Sequence, residues 1–313
     1  MSETVERHRS RQIEISGTRN SPMNIPVDKE HLRHDVQTLA AMVPPRNAKN
    51  VDSLDKSADY ILEEFRKTGG RVDIQRFTQD GKEYKNVICS FGPETGERII
   101  VGAHYDVCGN QPGADDNASG VAGLLELSRL VHSLKMELKC RIDFVAYTLE
   151  EGQFLKHPFA RHYGSYTHAK SLAEAGISVR AMICLEMIGY FSDRPNSQKY
   201  PLCFLRWFYP DKGNFIAVVG KLGQGGLVKK VKKSLAAQSQ VPIESLTAIS
   251  FIPGISFSDH QSYWKFNYSA VMITDSAFYR NKNYHKPSDT ADTLDYDRMA
   301  EVVKGLYWTI IMI

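Results

Sequence analysis

The chain has 313 residues, of which 42% are hydrophobic and 24% charged, and its formal net charge is +3. This composition is typical of a folded globular protein, and so mild a positive charge argues against nucleic acid as a partner. The N-terminus carries no apolar signal segment, and no apolar run approaches the ~20 residues of a membrane-spanning helix. We therefore expect a cytoplasmic protein that does not insert into a membrane.

Residues 1–26 lack a regular hydrophobic pattern and are predicted to form a polar tail ahead of a single domain, residues 27–313. VDKEHLRHDVQTLAAM predicts a first helix, which Pro44-Pro45 ends. VDSLDKSADYILEEFRKTGG predicts a second helix, because its apolar residues recur on one stripe and two glycines close it. VDIQRF and YKNVICSF flank a QDGKE turn and predict a β-hairpin.

After the hairpin, apolar strands alternate with helical patterns such as SGVAGLLELSRLVHSL and YGSYTHAKSLAEAG. The predicted strands are RIIVGA (98–103), CRIDFVAYTL (140–149), RAMICLEM (180–187), FIAVVG (215–220) and SAVMIT (269–274). Near-continuous apolar strands that alternate with helices indicate a sheet covered on both faces. The sequence therefore predicts one α/β domain with a central mixed, mostly parallel twisted β-sheet flanked by helices on both faces.

Ligands of such a sheet bind beyond the carboxyl ends of its strands. In this sequence, histidines and carboxylates follow four of the predicted strands or lie in the loops after them. They are His104 and Asp106, Asp115 and Asp116 of PGADDNASG, Glu150 and Glu151, Glu186, and His285 with its neighbour Tyr284. Imidazole and carboxylate groups together predict a metal site with nitrogen and oxygen ligands.

Two features refine that prediction. The five cysteines have no CxxC spacing and none falls among the candidate ligands; Cys89, Cys140 and Cys184 are predicted to be reduced core residues. A closed structural zinc site is therefore disfavoured. There are more carboxylates than one zinc needs, which favours two metals with a shared carboxylate and a shared water. One of the adjacent glutamates can then bind metal while the other takes a proton from the bound water.

Each residue taken alone also has a simpler explanation. A histidine at a strand end is usually only hydrogen-bonded, adjacent glutamates are usually solvated, and Asp115 or Asn117 at a helix start is typical of a cap. Asp259 and His260 either line the site or form a cap at a strand-to-helix turn. An aromatic segment at 191–213, with Arg206, Trp207 and Tyr209, either forms a substrate rim or packs its own loop down. Convergence of four strand ends favours the metal site.

The motifs AHYD, PGADDNASG, LEEGQF, LEMIGY and YHKPSDTADTLDY occur in this order. Together they resemble the co-catalytic zinc aminopeptidase family, which includes glutamate carboxypeptidase II and glutaminyl cyclase. The resemblance spans about residues 30–313. It implies a zinc-exopeptidase fold, two Zn²⁺ ions per chain, and hydrolysis of a peptide or dipeptide substrate, with release of the N-terminal amino acid.

The resemblance also implies roles for individual residues. Asp116 would bridge the two zinc ions, with His104 and Glu186 completing one site and Glu151 and His285 the other. Glu150 would be the general base that activates the metal-bound water, Asp106 would hydrogen-bond His104, and Tyr284 would stabilise the tetrahedral intermediate. A cis peptide bond is expected between Asp116 and Asn117. Glu186 departs from the aspartate of many relatives, which leaves recognition of the free amine less secure than hydrolysis.

Two alternatives remain at this stage. One is an acyltransferase of the glutaminyl cyclase type, with one zinc ion. The other is a catalytically inactive binding module on the same fold. The intact GADDN motif and the filled ligand positions favour the hydrolase, and metal stoichiometry would separate it from the cyclase.

Overall fold

The computed structural model of the protein describes residues 25–152 and 163–313. Residues 1–24, most of the predicted tail, lie outside the described residues, as does the end of the LEEGQF motif from residue 153 onward. Ile25 already packs into the hydrophobic core. None of the described helices is both long enough and apolar enough to cross a membrane.

The described residues form seven α-helices and eight β-strands. The helices are α1 (Lys29–Ala40), α2 (Val51–Arg66), α3 (Gly120–Leu134), α4 (Tyr163–Glu174), α5 (Gly225–Gln238), α6 (His260–Lys265) and α7 (Tyr296–Met312). The strands are β1 (Arg71–Gln79), β2 (Lys82–Phe91), β3 (Arg98–His104), β4 (Arg141–Tyr147), β5 (Val179–Glu186), β6 (Ile216–Lys221), β7 (Ile243–Ala248) and β8 (Ala270–Thr274).

Local sequence explains the first elements. The side chain of Asp28 caps α1 by accepting hydrogen bonds from the backbone N–H groups of Glu30 and His31. The apolar stripe predicted for α2 is buried along its length. β1 and β2 form the predicted hairpin, and its turn residues Asp80 and Gly81 both have positive φ, as a tight two-residue hairpin turn requires.

The eight strands form one sheet in the order β1-β2-β4-β3-β5-β8-β6-β7. β3 is parallel to both β4 and β5, β5 is parallel to β8, and β6 is parallel to β7. The hairpin β1–β2, the pair β2–β4 and the pair β6–β8 are antiparallel. The prediction of a mixed, mostly parallel sheet is confirmed.

Helices cover both faces of this sheet. Successive side chains of a strand point to opposite faces, and in β3 Ile99 and Val101 join one hydrophobic cluster while Ile100 joins another. The first cluster contains residues of α1, α2, α3, α5 and α7, and the second contains residues of α4 and α6. The prediction of one α/β domain with helices on both faces is confirmed.

Two predicted strands end earlier than expected, and one strand was not predicted. Leu149 and Met187 have φ of 58° and 51°, which takes the backbone out of the extended conformation beyond β4 and β5. β7 was missed because it is a half-buried edge strand whose sequence, IESLTA, has no continuous apolar run. The early strand ends matter most, because both lie beside predicted site residues.

The buried stripe of α2 leads to a stability prediction. Phe65 is fully buried in the core, so Phe65→Ala should lower the free energy of unfolding by about 3–5 kcal/mol. Phe251 is 81% exposed, so Phe251→Ala is the matched control and should change stability by less than about 0.5 kcal/mol. Urea unfolding measures both, and equal losses in the two variants would contradict the assignment of α2 to the core.

Candidate metal centre

The predicted site residues lie at one edge of the sheet. β4, β3, β5 and β8 are consecutive neighbours and mutually parallel, so their carboxyl ends meet there. His104 is the last residue of β3, Glu186 is the last residue of β5, and Glu150 and Glu151 closely follow β4. His285 lies in the loop between β8 and α7.

Asp116 lies at the centre of this group. Its side chain is buried, and neither carboxylate oxygen has a hydrogen-bond partner among the described residues. Oδ1 is 3.4 Å from Nε2 of His104, and Oδ2 is 3.1 Å from Nε2 of His285. A buried carboxylate without hydrogen bonds is costly unless a cation compensates its charge. The two oxygens therefore face two separate positions, as a bridging ligand requires.

A second carboxylate lies beside each of the two histidines that face Asp116. Oε2 of Glu186 is 3.3 Å from Nε2 of His104, and Oε1 of Glu151 is 3.1 Å from Nε2 of His285. Two ligand atoms bound at ~2.0–2.1 Å to a tetrahedral zinc ion lie roughly 3.3 Å apart. The observed spacing of 3.1–3.4 Å fits such an ion at each position. The structure thus brings together all five residues predicted as ligands.

The electrostatics of the site also favour bound cations. Burial raises the pKa of Glu151 to about 7, and the charge of Asp116 adds to the effect. Burial likewise raises the pKa of Glu150 well above its usual value, with contributions from Glu151 and Glu186. Burial also acts to raise the pKa of Asp116, but the two histidines next to its carboxylate lower it overall. Divalent cations would offset this repulsion between buried carboxylates.

Asp106 explains how two adjacent glutamates reach one site. Its buried carboxylate accepts hydrogen bonds from the backbone N–H groups of Glu150 (3.0 Å) and Glu151 (3.1 Å). Leu149, directly before them, has a left-handed φ of 58° that turns the chain. The predicted bond from Asp106 to His104 is made differently: Nδ1 of His104 is 3.2 Å from the backbone carbonyl of Asp106 and 3.6 Å from its carboxylate.

Asp289, to which the sequence analysis gave no role, holds the other side of the site in the same way. Its carboxylate accepts hydrogen bonds from the backbone N–H groups of Asp115 (3.0 Å) and Asp116 (3.1 Å). The residue is fully buried. Asp289 lies in the motif YHKPSDTADTLDY, four residues after His285. That position was the only feature of the sequence that could have indicated its role.

A buried arginine holds the segment between β3 and α3, which contains Asp116. Arg46, 1% exposed, donates to the backbone carbonyls of Leu39, Tyr105, Pro112 and Gly113. Burial lowers its pKa to about 10, while the nearby charges of Asp289, Asp116 and Asp106 act to raise it. It therefore remains a cation behind the aspartates. Its sequence context, PPRN, gave no sign of this role.

The turn that carries Asp116 has a special backbone. Gly113 has φ of 60°, and a Cβ atom there would lie 2.3 Å from the carbonyl oxygen of Asp116, so only glycine fits. The predicted cis peptide bond between Asp116 and Asn117 is present. The side-chain oxygen of Asn117 accepts hydrogen bonds from the N–H of Gly120, the first residue of α3, and from the N–H of Met187, directly after β5.

Cys108 lies beside one of the two predicted metal positions. The sequence analysis placed no cysteine among the candidate ligands, yet the sulfur of Cys108, an oxygen of Glu151 and a ring nitrogen of His285 all lie within 4.8 Å of one another. His104, Asp116 and Glu186 form the second such group among the described residues. Sequence spacing could not reveal this, because Cys108 lies in an irregular loop whose path depends on its tertiary contacts.

Tyr284 stacks on His285, with ring centroids 3.7 Å apart. With Glu186 it also borders an apolar cavity of about 100 Å³ beside the metal positions. The strands and loops that enclose this cavity contribute Ala217, Val219, Leu246, Ile255, Phe257, Met272 and Phe278. The 191–213 segment contributes Leu205 and Tyr209, whereas its exposed residues Arg206 and Trp207 are not part of the wall.

Asp259 and His260, left open by the sequence analysis, are both fully buried at the start of α6. The side chain of Asp259 does not cap that helix. Nε2 of His260 is 2.8 Å from the carbonyl oxygen of Ile255, and its ring packs edge-on against Trp264. His260 is therefore a packed core residue.

The Asp289 interaction can be tested directly. Asp289→Asn replaces one acceptor oxygen by a donor that faces a backbone N–H, so we expect a loss of about 1–3 kcal/mol in stability. Zinc binding should weaken by about 10–100-fold, because the backbone of Asp116 loses its support. Asp295→Asn is the matched control, since Asp295 caps α7, asparagine caps equally well, and the ion pair of Asp295 with Arg298 is partly exposed. Unchanged zinc affinity in Asp289→Asn would contradict the supporting role.

The chain matches a known protein family and a related bacterial protein. The family model described as peptidase family M28 matches residues 86–308. An uncharacterised protein of Escherichia coli, YfbL, is 47% identical over 285 residues, which cover 88% of this chain and 86% of that protein.

Two solved structures from Bacteroides thetaiotaomicron share the fold. One is a leucine aminopeptidase precursor, with a TM-score of 0.72 and 21% identity over 93% of this chain and 99% of that one. The other is a glutaminyl cyclase bound to N-acetylhistamine, with a TM-score of 0.70 and 21% identity over 93% of this chain and 100% of that one. Because the family model spans well over half of the sequence, the chain belongs to peptidase family M28.

Proposed function

We propose that the protein is a two-zinc metallo-exopeptidase that releases N-terminal amino acids from peptides or dipeptides. The observation that carries the proposal is the buried Asp116 carboxylate, whose two oxygens face His104 and His285 and make no hydrogen bonds in the described structure. Membership in a peptidase family supports hydrolysis as the reaction. A cytoplasmic location remains a prediction.

Glu150 is the residue that moves protons. Zinc, when bound, supplies a Lewis acid that polarises the scissile carbonyl and makes water more acidic. Glu150 is buried beside the ligand Glu151, and Asp106 fixes the backbone of both. A glutamate at this place takes the proton from the attacking water and passes it to the leaving amine.

Tyr284 is the hydrogen-bond donor for the developing oxyanion. Burial raises the pKa of its hydroxyl, and the charges of Asp116 and Glu151 raise it further, so the group stays protonated at neutral pH. Stacking on His285 holds the ring beside the metal position. A protonated, fixed hydroxyl can stabilise negative charge as it forms in the transition state.

The apolar cavity next to Glu186 and Tyr284 receives the side chain of the N-terminal residue. Its wall is mostly aliphatic and aromatic, and burial of apolar surface is worth about 25 cal/mol per Å². We therefore propose that bulky apolar residues are preferred at the cleaved position. Binding of that side chain in the cavity would place the scissile bond next to the carboxylates of the metal centre.

A cyclase of N-terminal glutamine is the second candidate, because the fold is equally similar to that of a glutaminyl cyclase. Incubation of zinc-loaded protein with a mixed peptide library separates the two by mass spectrometry. Stepwise loss of residues from the amino end supports the peptidase. Loss of ammonia from N-terminal glutamine would support the cyclase, and loss from the carboxyl end would overturn amine recognition. No change with metal bound would support a binding module.

Glu150→Gln should keep both metal ions but lower kcat by about 10²–10⁴-fold, because it removes proton transfer without removing a ligand. Metal content by mass spectrometry and turnover of a leucine peptide measure the two effects. Glu137→Gln, at an exposed position, is the control and should behave like the wild type. Loss of a metal ion from Glu150→Gln would show instead that Glu150 is a ligand.

The cavity assignment predicts a change in side-chain preference. Ala217 forms part of the cavity wall on β6, so Ala217→Leu should fill space that a bulky substrate side chain occupies. We expect kcat/KM for an N-terminal leucine peptide to fall about 10-fold relative to that for an alanine peptide. Equal effects on both peptides would place the substrate side chain outside this cavity.

A further inference from the structure

Cys108 lies beside one of the two metal positions, although the ligand set expected from the sequence contains no sulfur. Its Sγ atom lies within 4.8 Å of the ligand atoms of Glu151 and His285. Thiolate sulfur, imidazole nitrogen and carboxylate oxygen are the three protein ligand types that zinc accepts. The three atoms are close enough together to hold one ion between them.

The backbone on both sides of Cys108 is anchored. The N–H of Val107 donates to the carbonyl of Arg46 at 3.0 Å. The side-chain amide of Asn47 donates to the carbonyl of Gly109. Arg46 then holds the same loop at Pro112 and Gly113. The position of the sulfur is therefore set by buried hydrogen bonds rather than by a loose surface loop.

An independent observation points to an ion at the same place. Oδ2 of Asp116 is fully buried, has no hydrogen-bond partner in the described part of the chain, and lies 3.1 Å from Nε2 of His285. The group of Cys108, Glu151 and His285 offers three ligand atoms, and this Asp116 oxygen beside His285 makes a fourth, the number that a tetrahedral zinc ion takes. Within residues 25–152 and 163–313, the position at His104 has three, which come from His104, Asp116 and Glu186.

We propose that Cys108 is a sulfur ligand of the metal position formed by Glu151, His285 and Asp116. When the metal binds, the sulfur–metal bond forms and the thiol proton passes to solvent. This position then has four protein ligands, one more than the position at His104, which keeps an open place for substrate. That open position includes Glu186, which also borders the apolar cavity.

A sulfur ligand also restricts the choice of metal at this position. Soft thiolate favours Zn²⁺ and Cd²⁺ over Mg²⁺ or Mn²⁺, which prefer oxygen ligands. The two positions would therefore differ in which metal ions they bind, and the position with Cys108 would prefer Zn²⁺ or Cd²⁺. The inference rests on the proposed two-metal function, and its test must distinguish failure of one from failure of the other.

Titration of metal-free protein with Cd²⁺ provides that test, because bound thiolate gives a charge-transfer absorption in the ultraviolet. The variants are Cys108→Ser and, as the matched control, Cys203→Ser at an exposed thiol. Wild type and Cys203→Ser should bind two ions per chain with a thiolate band from one of them. Cys108→Ser should lose the band and bind one ion at least about 10-fold more weakly.

Two binding events without a thiolate band in the wild type, or a band that persists in Cys108→Ser, would overturn the ligand assignment and leave the two-metal centre intact. Absence of Cd²⁺ binding in the wild type would overturn the proposed function as well. Alkylation of the wild type with iodoacetamide is a second test that does not need a variant. Zinc should slow modification of Cys108 at least 10-fold, and equal rates with and without zinc would also refute ligation.

Discussion

The buried carboxylate of Asp116 is the constraint on which the site depends. A carboxylate away from water that makes no hydrogen bonds destabilises a fold unless positive charge lies against both of its oxygens. The chain places a histidine nitrogen at each oxygen and adds Glu151 and Glu186 beyond them. Those further carboxylates increase the negative charge, which bound cations would offset.

Most of the structure around Asp116 serves to hold the backbone in place. Asp106 and Asp289 each bind two consecutive N–H groups, one pair at the glutamates and the other at Asp115 and Asp116. Arg46 binds carbonyl groups of the intervening loop. Buried side chains thus satisfy the backbone groups that irregular segments leave unpaired. The ligands themselves remain available for a metal, because other residues carry the structural hydrogen bonds.

The candidate metal centre and the apolar cavity are built from neighbouring strands of one sheet. The parallel strands β3, β4, β5 and β8 bring the ligands to one edge, while β6, β7 and β8 supply wall residues of the apolar cavity next to it. Glu186 belongs to both, since it ends β5 and borders the cavity. Under the proposed function, the reaction and the recognition of the substrate side chain share this boundary, and a change in the cavity can alter specificity without removing a candidate ligand.

The sequence by itself determined the covered sheet, the order of helices and strands apart from β7, and the choice of five candidate ligands that the structure brings together. Strand ends, motif order and residue type carry that information locally, as at His104 and at the pair Glu150–Glu151. Only the tertiary structure decided what Arg46, Asp289 and Cys108 contact. Their partners are backbone groups or side chains distant in sequence, and no periodicity or spacing encodes a contact between residues 46 and 113 or between 108 and 285. Such contacts exist only once the sheet has brought its strand ends and loops together.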